Sequence, residues 1–133
     1  MERKIRILVA EDFDLLREDL CEFLDSQEDM EAAGSAGGKE EIVKLARKME
    51  FDLILMDIMM PVMGGREAAR RIRTLERPDA ETVRIYAMTA QVSSESVHKC
   101  LASGMNGHIA KPIDESKLRE ILTRCESVKK QKD

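Results

Sequence analysis

The chain has 133 residues, a length that fits one domain. Hydrophobic residues make up 43% of it and charged residues 36%, a balance that excludes a disordered chain. The net charge of -4 gives no electrostatic basis for direct binding of nucleic acid. No apolar stretch approaches the roughly 18 residues that span a bilayer, and no signal-peptide segment follows the charged N-terminus. We therefore expect a soluble, cytoplasmic protein that does not insert into membranes.

Short apolar runs alternate with amphipathic segments along the chain. Strands are predicted at 5–9, 30–36, 53–56, 84–88 and 107–110, and helices at 13–26, 38–49, 65–75, 93–103 and 115–125. This alternation indicates an α/β fold with a parallel sheet and right-handed crossovers. Five strand–helix units are too few for a barrel of eight such units, so we expect an open, doubly wound sheet. Residues 1–126 are assigned to one domain, and 127–133 are predicted to be a frayed polar tail.

Chemically active side chains follow four of the five predicted strands. Glu11 and Asp12 follow the first strand, Asp57 the third, Thr89 the fourth and Lys111 the fifth. The carboxyl ends of parallel strands meet at one edge, so these groups are expected to surround one crevice. Three neighbouring carboxylates repel one another, and Mg²⁺ with its preference for oxygen ligands removes that cost. The alternative for the first pair is a helix N-terminus that carries acidic residues.

Four motifs resemble the receiver domains of bacterial two-component response regulators. They are Glu11-Asp12, the segment 56–65 that contains Asp57, the segment 88–90, and the segment 110–112, in the order and spacing of that family. The resemblance covers about residues 4–125. The stretch from segment 88–90 through segment 104–113 is most similar to receivers of hybrid histidine kinases. The resemblance implies a flavodoxin-like (βα)5 sheet with strand order 2-1-3-4-5.

The resemblance also implies a phosphoryl-accepting metal site. Asp57 would accept a phosphoryl group from a phosphohistidine on a partner protein. Asp12 and Asp57 would hold Mg²⁺ through their side chains, and Glu11 would act directly or through water, with Mn²⁺ as a substitute metal. The backbone carbonyl of Met59 would complete this set of ligands. Binding and neutralising the transferring group would account for most of the chemistry.

Further residues would respond to the phosphoryl group. Lys111 would neutralise one of its oxygens, and a cis peptide bond between Lys111 and Pro112 would direct the lysine into the site. Thr89 would hydrogen-bond the group and move toward it, while Ala90 would leave room for that movement. His108 stands where many receivers carry an aromatic ring that moves inward; the alternative is an ordinary surface histidine.

The implied function is that of a signalling module rather than a turnover enzyme, although it would catalyse its own phosphorylation and dephosphorylation. The partner would be a sensor histidine kinase or a histidine phosphotransfer domain. Phosphorylation would switch the surface around the fourth helix, fifth strand and fifth helix and favour a dimer, while Met59 and Gln91 would tune hydrolysis. The chain would be a stand-alone regulator or a receiver excised from a hybrid histidine kinase.

Three other functions fit the sequence less well. Phosphohydrolases of the haloacid-dehalogenase type carry the motif Asp-x-Asp after the strand. Here Met59 stands in place of the second Asp. A flavodoxin-type module needs a phosphate loop rich in Ser, Thr or Gly, whereas here Glu11 and Asp12 follow the first strand. A degenerate receiver that only binds partners would not need the full set of acids together with Thr89 and Lys111.

Overall fold

Five strands and five helices alternate along the described part of the chain. The computed structural model describes residues 4–57, 65–76, 78, 80, 82–89, 94–111 and 113–132. The strands are β1 (Ile5–Ala10), β2 (Met30–Ala36), β3 (Leu53–Asp57), β4 (Arg84–Thr89) and β5 (Gly107–Ala110). The helices are α1 (Asp14–Asp25), α2 (Lys39–Lys48), α3 (Gly65–Arg73), α4 (Ser94–Ala102) and α5 (Glu115–Lys132).

The strands form one parallel sheet in the order β2-β1-β3-β4-β5. This confirms the predicted fold class and strand order. In the register of the sheet, Asp57 lies opposite Met88 and Thr89 lies opposite Ala110. The last residues of β3, β4 and β5 therefore reach the same edge of the sheet, where ligands bind in folds of this kind.

Helices cover both faces of the sheet, and each face has its own apolar cluster. Alternate residues of a strand point to opposite faces. Ile54 and Met56 accordingly pack with the cluster that includes α2, α3 and α4, whereas Leu53 and Leu55 pack with the cluster that includes α1 and α5. Every residue of β3 is buried, which is the reason that its sequence is apolar until it reaches Asp57.

The last helix is longer than predicted. The periodic pattern predicts its end near Cys125 and a frayed tail at 127–133, but α5 continues to Lys132. Residues 128–132 contain neither Gly nor Pro, and their lysines and glutamine are good helix formers, so nothing in them ends the helix. The division of the chain at 126 stays a prediction. Among the described helices, α5 included, none carries an apolar stretch suited to crossing a membrane.

Candidate functional site

Three carboxylates meet at the carboxyl edge of the sheet. Glu11 directly follows β1, Asp12 is the next residue, and Asp57 ends the neighbouring strand β3. Each of the three can offer an oxygen atom that lies within 4.8 Å of the other two. Glu11 and Asp57 are buried, at 3% and 5% exposure, whereas Asp12 is exposed. The cluster is thus closed on its protein side and open to solvent at Asp12.

The ammonium group of Lys111 lies between the two buried carboxylates. Its Nζ atom is 3.3 Å from Oε2 of Glu11 and 3.5 Å from Oδ2 of Asp57. The backbone N–H of Lys111 donates a hydrogen bond of 2.8 Å to the carbonyl of Thr89, which fixes the end of β5 beside the end of β4. One cation therefore compensates part of the charge of two buried acids.

Burial and the neighbouring Asp57 raise the pKa of Glu11, and Lys111 offsets this effect only in part. Burial is the largest cause, followed by the hydrogen bond and the negative charge of Asp57; together they raise the pKa of Glu11 to about 7 against the opposing effect of Lys111. A divalent cation would relieve this repulsion. The donors are all carboxylate oxygens, and an exposed side leaves room for water, so the residues present fit Mg²⁺ or Mn²⁺.

An apolar surface of α1 adjoins the acidic cluster. A cavity of about 560 Å³ is lined by Glu11, Lys111, Asp19 and five apolar side chains, Leu16, Leu20, Phe23, Met88 and Ile113. At the start of α1, Phe13, Leu15 and Leu16 are 56%, 64% and 48% exposed. The sequence analysis missed this surface. Its signal is the group of apolar residues Phe13, Leu15 and Leu16 close after the acid pair, because one helix cannot turn all of them toward the core.

Two further residues of the predicted site, Thr89 and His108, lie in β4 and β5. Thr89 is buried at the end of β4, on the same edge as the carboxylates. His108 is half-buried in β5, where it pairs with Ala87 of β4. The predictions for Met59, Ala90 and Gln91 fall outside the described ranges, and so does the predicted cis peptide bond, because Pro112 is not described.

Comparison with known proteins identifies the family. Residues 7–123 match the response regulator receiver domain. The response regulator protein VraR of Staphylococcus epidermidis is 31% identical over 121 residues, which are 90% of this chain and 56% of VraR. The chain therefore spans about half the length of the VraR regulators that it matches.

Solved receiver structures share the fold. The receiver domain of a sensor histidine kinase from Pseudomonas aeruginosa, with a magnesium ion coordinated in its active-site cleft, is 31% identical with a TM-score of 0.77, covering 91% of this chain and 96% of that one. The receiver domain of Ssk1 from Saccharomyces cerevisiae, crystallised with the histidine phosphotransfer protein Ypd1, is 29% identical with a TM-score of 0.76, covering 92% and 89%. The chain belongs to the response regulator receiver domain family.

Proposed function

We propose that the chain is the phosphoacceptor module of a two-component phosphorelay and that Asp57 takes the phosphoryl group. The observation that carries this proposal is the buried carboxylate of Asp57, which lies 3.5 Å from the ammonium of Lys111 and within 4.8 Å of two further carboxylates. A carboxylate in these surroundings is held in place, and the charge of an incoming phosphoryl group can be neutralised at the same point.

The transfer forms one bond and breaks one. A carboxylate oxygen of Asp57 attacks the phosphorus atom while the phosphorus–nitrogen bond to the partner's histidine breaks, and that nitrogen keeps the electron pair. Lys111 neutralises a phosphoryl oxygen and the Thr89 hydroxyl donates a hydrogen bond to another. The protein thus contributes position and charge rather than a separate nucleophile. The module phosphorylates and dephosphorylates itself without being a turnover enzyme.

The metal site uses the same cluster. Glu11, Asp12 and Asp57 would hold Mg²⁺ or Mn²⁺, and the backbone carbonyl of Met59 would complete the set. When bound, the cation neutralises negative charge on the phosphoryl oxygens. The raised pKa of Glu11 supports this assignment, because burial and the neighbouring Asp57 both disfavour its ionised form, and a bound cation would favour that form. The magnesium ion in the similar Pseudomonas receiver supports it as well.

The phosphoryl donor would be a sensor histidine kinase or a histidine phosphotransfer domain in the cytoplasm. The yeast receiver crystallised with a histidine phosphotransfer protein supports this kind of partner. The donor would approach from the open side at Asp12, next to the exposed apolar side chains of α1. Phosphorylation would then move Thr89 into the space left by Ala90, move His108 inward, and change the surface formed by α4, β5 and α5, with a dimer as the expected product.

Intact mass after treatment with acetyl phosphate and Mg²⁺ tests the acceptor. We expect the wild-type chain to gain one phosphoryl group and Asp57→Asn to gain none, because the amide is a poor nucleophile. Asp25→Asn, at the far end of α1, is the matched control and should gain the group like the wild type. An undiminished gain in Asp57→Asn would place the acceptor elsewhere, and no gain in any variant would favour a degenerate receiver.

A further inference from the structure

Arg17 of α1 reaches back to the end of β1. Its Nη1 atom donates a hydrogen bond of 2.8 Å to the backbone carbonyl of Glu11. Its Nη2 atom lies 2.7 Å from Oδ1 of Asp14, one helical turn before it. The guanidinium is thus held by a carboxylate on one side while it binds the backbone of the acid pair on the other.

The chain leaves space for this guanidinium at Gly37. A Cβ atom at Gly37 would lie 2.9 Å from Nη1 of Arg17, too close for an unshifted contact, and 3.9 Å from the Glu11 carbonyl oxygen. The neighbouring Ala36 accepts a hydrogen bond of 3.0 Å from the N–H of Glu11. Both backbone polar groups of Glu11 are therefore fixed, one by the end of β2 and the other by Arg17.

The carbonyl that Arg17 binds belongs to the peptide unit between Glu11 and Asp12. The orientation of this planar unit sets the directions in which the two acidic side chains leave the backbone. We propose that Arg17 is a positioning residue that prepares Glu11 and Asp12 to bind a divalent cation, and that Gly37 lets the guanidinium reach the Glu11 carbonyl without being displaced. This inference rests on the metal site of the proposed function.

A plain helix-stabilising role for Arg17 is the competing explanation. The Arg17–Asp14 pair is an i,i+3 contact with an exposed partner, and such pairs stabilise a helix by only about 0.2–0.5 kcal/mol. In that case the loss of Arg17 would lower stability slightly and leave metal affinity unchanged. Gly37→Ala separates the two roles, since it displaces the end of the guanidinium without altering any residue of α1.

The test is a calorimetric titration with Mg²⁺ of the wild type, Arg17→Met, Gly37→Ala and the double variant. Loss of an outer partner of metal ligands typically costs 10–100-fold in affinity, so we expect the Kd for Mg²⁺ to rise by about tenfold in each single variant. The double variant should bind no more weakly than Arg17→Met, because its guanidinium is already gone. Thermal unfolding without Mg²⁺ checks that every variant is folded.

Two control variants complete the experiment. Gly38→Ala adds the same methyl group one residue further on, where nothing lies within 4 Å. Glu22→Gln removes one exposed carboxylate of α1 and leaves the Arg17–Asp14 pair in place. Both should bind Mg²⁺ within about twofold of the wild type. Even if Gly37→Ala failed to fold, the double variant has space for the methyl group and can be compared with Arg17→Met.

The outcomes distinguish this inference from the proposed function. Wild-type affinity in both Arg17→Met and Gly37→Ala would overturn the positioning role and leave the metal site standing. If the losses of Mg²⁺ affinity in the two single variants were additive in the double variant, the link between Arg17 and Gly37 would be overturned. If the wild type itself bound no Mg²⁺, the proposed metal site would fail.

Discussion

The ammonium of Lys111 lies 3.5 Å from the carboxylate of Asp57, although Asp57 ends β3 and Lys111 directly follows β5. The same ammonium lies 3.3 Å from Glu11. Buried carboxylates need a cation or hydrogen bonds to offset their lost hydration. Lys111 therefore already contacts two of the three carboxylates that a metal would use. Under the proposed function it would compete with the metal for these carboxylates and would bind a phosphoryl group on Asp57.

Replacing Lys111 should separate phosphorylation from metal binding. In Lys111→Met we expect phosphorylation by acetyl phosphate to slow by about 100-fold, the usual cost of losing one group that stabilises transition-state charge. The affinity for Mg²⁺ should not fall, because the competing ammonium has gone. Phosphorylation is followed by intact mass and binding by calorimetry.

Lys44→Met, on the exposed side of α2, is the control for the loss of one lysine charge. It should match the wild type in both measurements. If Lys111→Met bound Mg²⁺ much more weakly than the wild type, the ammonium would be supporting the metal site instead of competing for its oxygens.

The pKa of Glu11 predicts an unusual dependence of stability on pH. Glu11 holds its proton up to about pH 7 in the folded chain, against an ordinary pKa of 4.5. Its stabilising contribution is therefore fully present below about pH 4.5 and is lost as the pH rises through about 7. Without Mg²⁺, we expect the free energy of unfolding of the wild type to fall relative to Glu11→Gln by roughly 2–3 kcal/mol over this range.

Urea denaturation of the two proteins at matched pH values measures this difference, and the contributions of the other titrating groups largely cancel in the comparison. Addition of Mg²⁺ at about pH 8 should stabilise the wild type more than Glu11→Gln, since the cation binds the ionised carboxylate. Parallel stability curves from pH 4 to pH 8 would contradict a raised pKa at Glu11.

Arg73 should matter for stability and not for the site. At the end of α3 it donates hydrogen bonds to the carbonyls of Ala80, Val83 and Gly104 and to Oδ1 of Asn106. These acceptors precede β4 and β5, at the end of the sheet opposite the carboxylates. We expect Arg73→Met to lower the free energy of unfolding by roughly 2–3 kcal/mol, because charged hydrogen bonds are lost, with no change in Mg²⁺ affinity.

Asn106 provides the partner for a double-mutant cycle. Its Oδ1 atom accepts hydrogen bonds of 2.8 Å from both Arg73 and the backbone N–H of Ile85. The losses of free energy of unfolding in Arg73→Met and Asn106→Ala should therefore be less than additive in the double variant. Arg70→Met, exposed on the same helix, should cost little. Full additivity would mean that the two side chains stabilise the fold independently.

The sequence predicts those residues of the site that local patterns along the chain reveal. The apolar run 53–56 identifies a buried strand and makes the carboxylate of Asp57 conspicuous. The same reasoning identifies Glu11 and Asp12 after the first strand and Lys111 after the fifth, because the carboxyl ends of parallel strands meet at one edge of the sheet. The strand order itself came from the resemblance, because periodicity does not fix which strands are neighbours.

Contacts between distant segments could not be predicted in this way. Arg17 is one of several arginines on helices, and nothing local shows that it binds the Glu11 carbonyl in the space left by Gly37. The same holds for Arg73, whose acceptors lie in two separate loops. The end of α5 was missed for a different reason, since the apolar stripe stops near Cys125 although the backbone remains helical.

The lifetime of the phosphorylated form is the last prediction, and it rests on two residues outside the described ranges. Met59 lies two residues after Asp57 and Gln91 two residues after Thr89. A thioether is at best a weak hydrogen-bond acceptor, and an amide does not take a proton from water as a carboxylate does. Hydrolysis needs a water molecule oriented in line with the phosphorus, so we expect Met59→Asn, Gln91→Glu and the double variant to lose the phosphoryl group several-fold faster than the wild type.

Decay is followed by intact mass in Mg²⁺ after removal of the donor, and Met59→Leu, which keeps an apolar side chain, should decay at the wild-type rate. Equal or slower decay in all three polar variants would mean that access to the site or backbone motion controls hydrolysis instead of these two side chains.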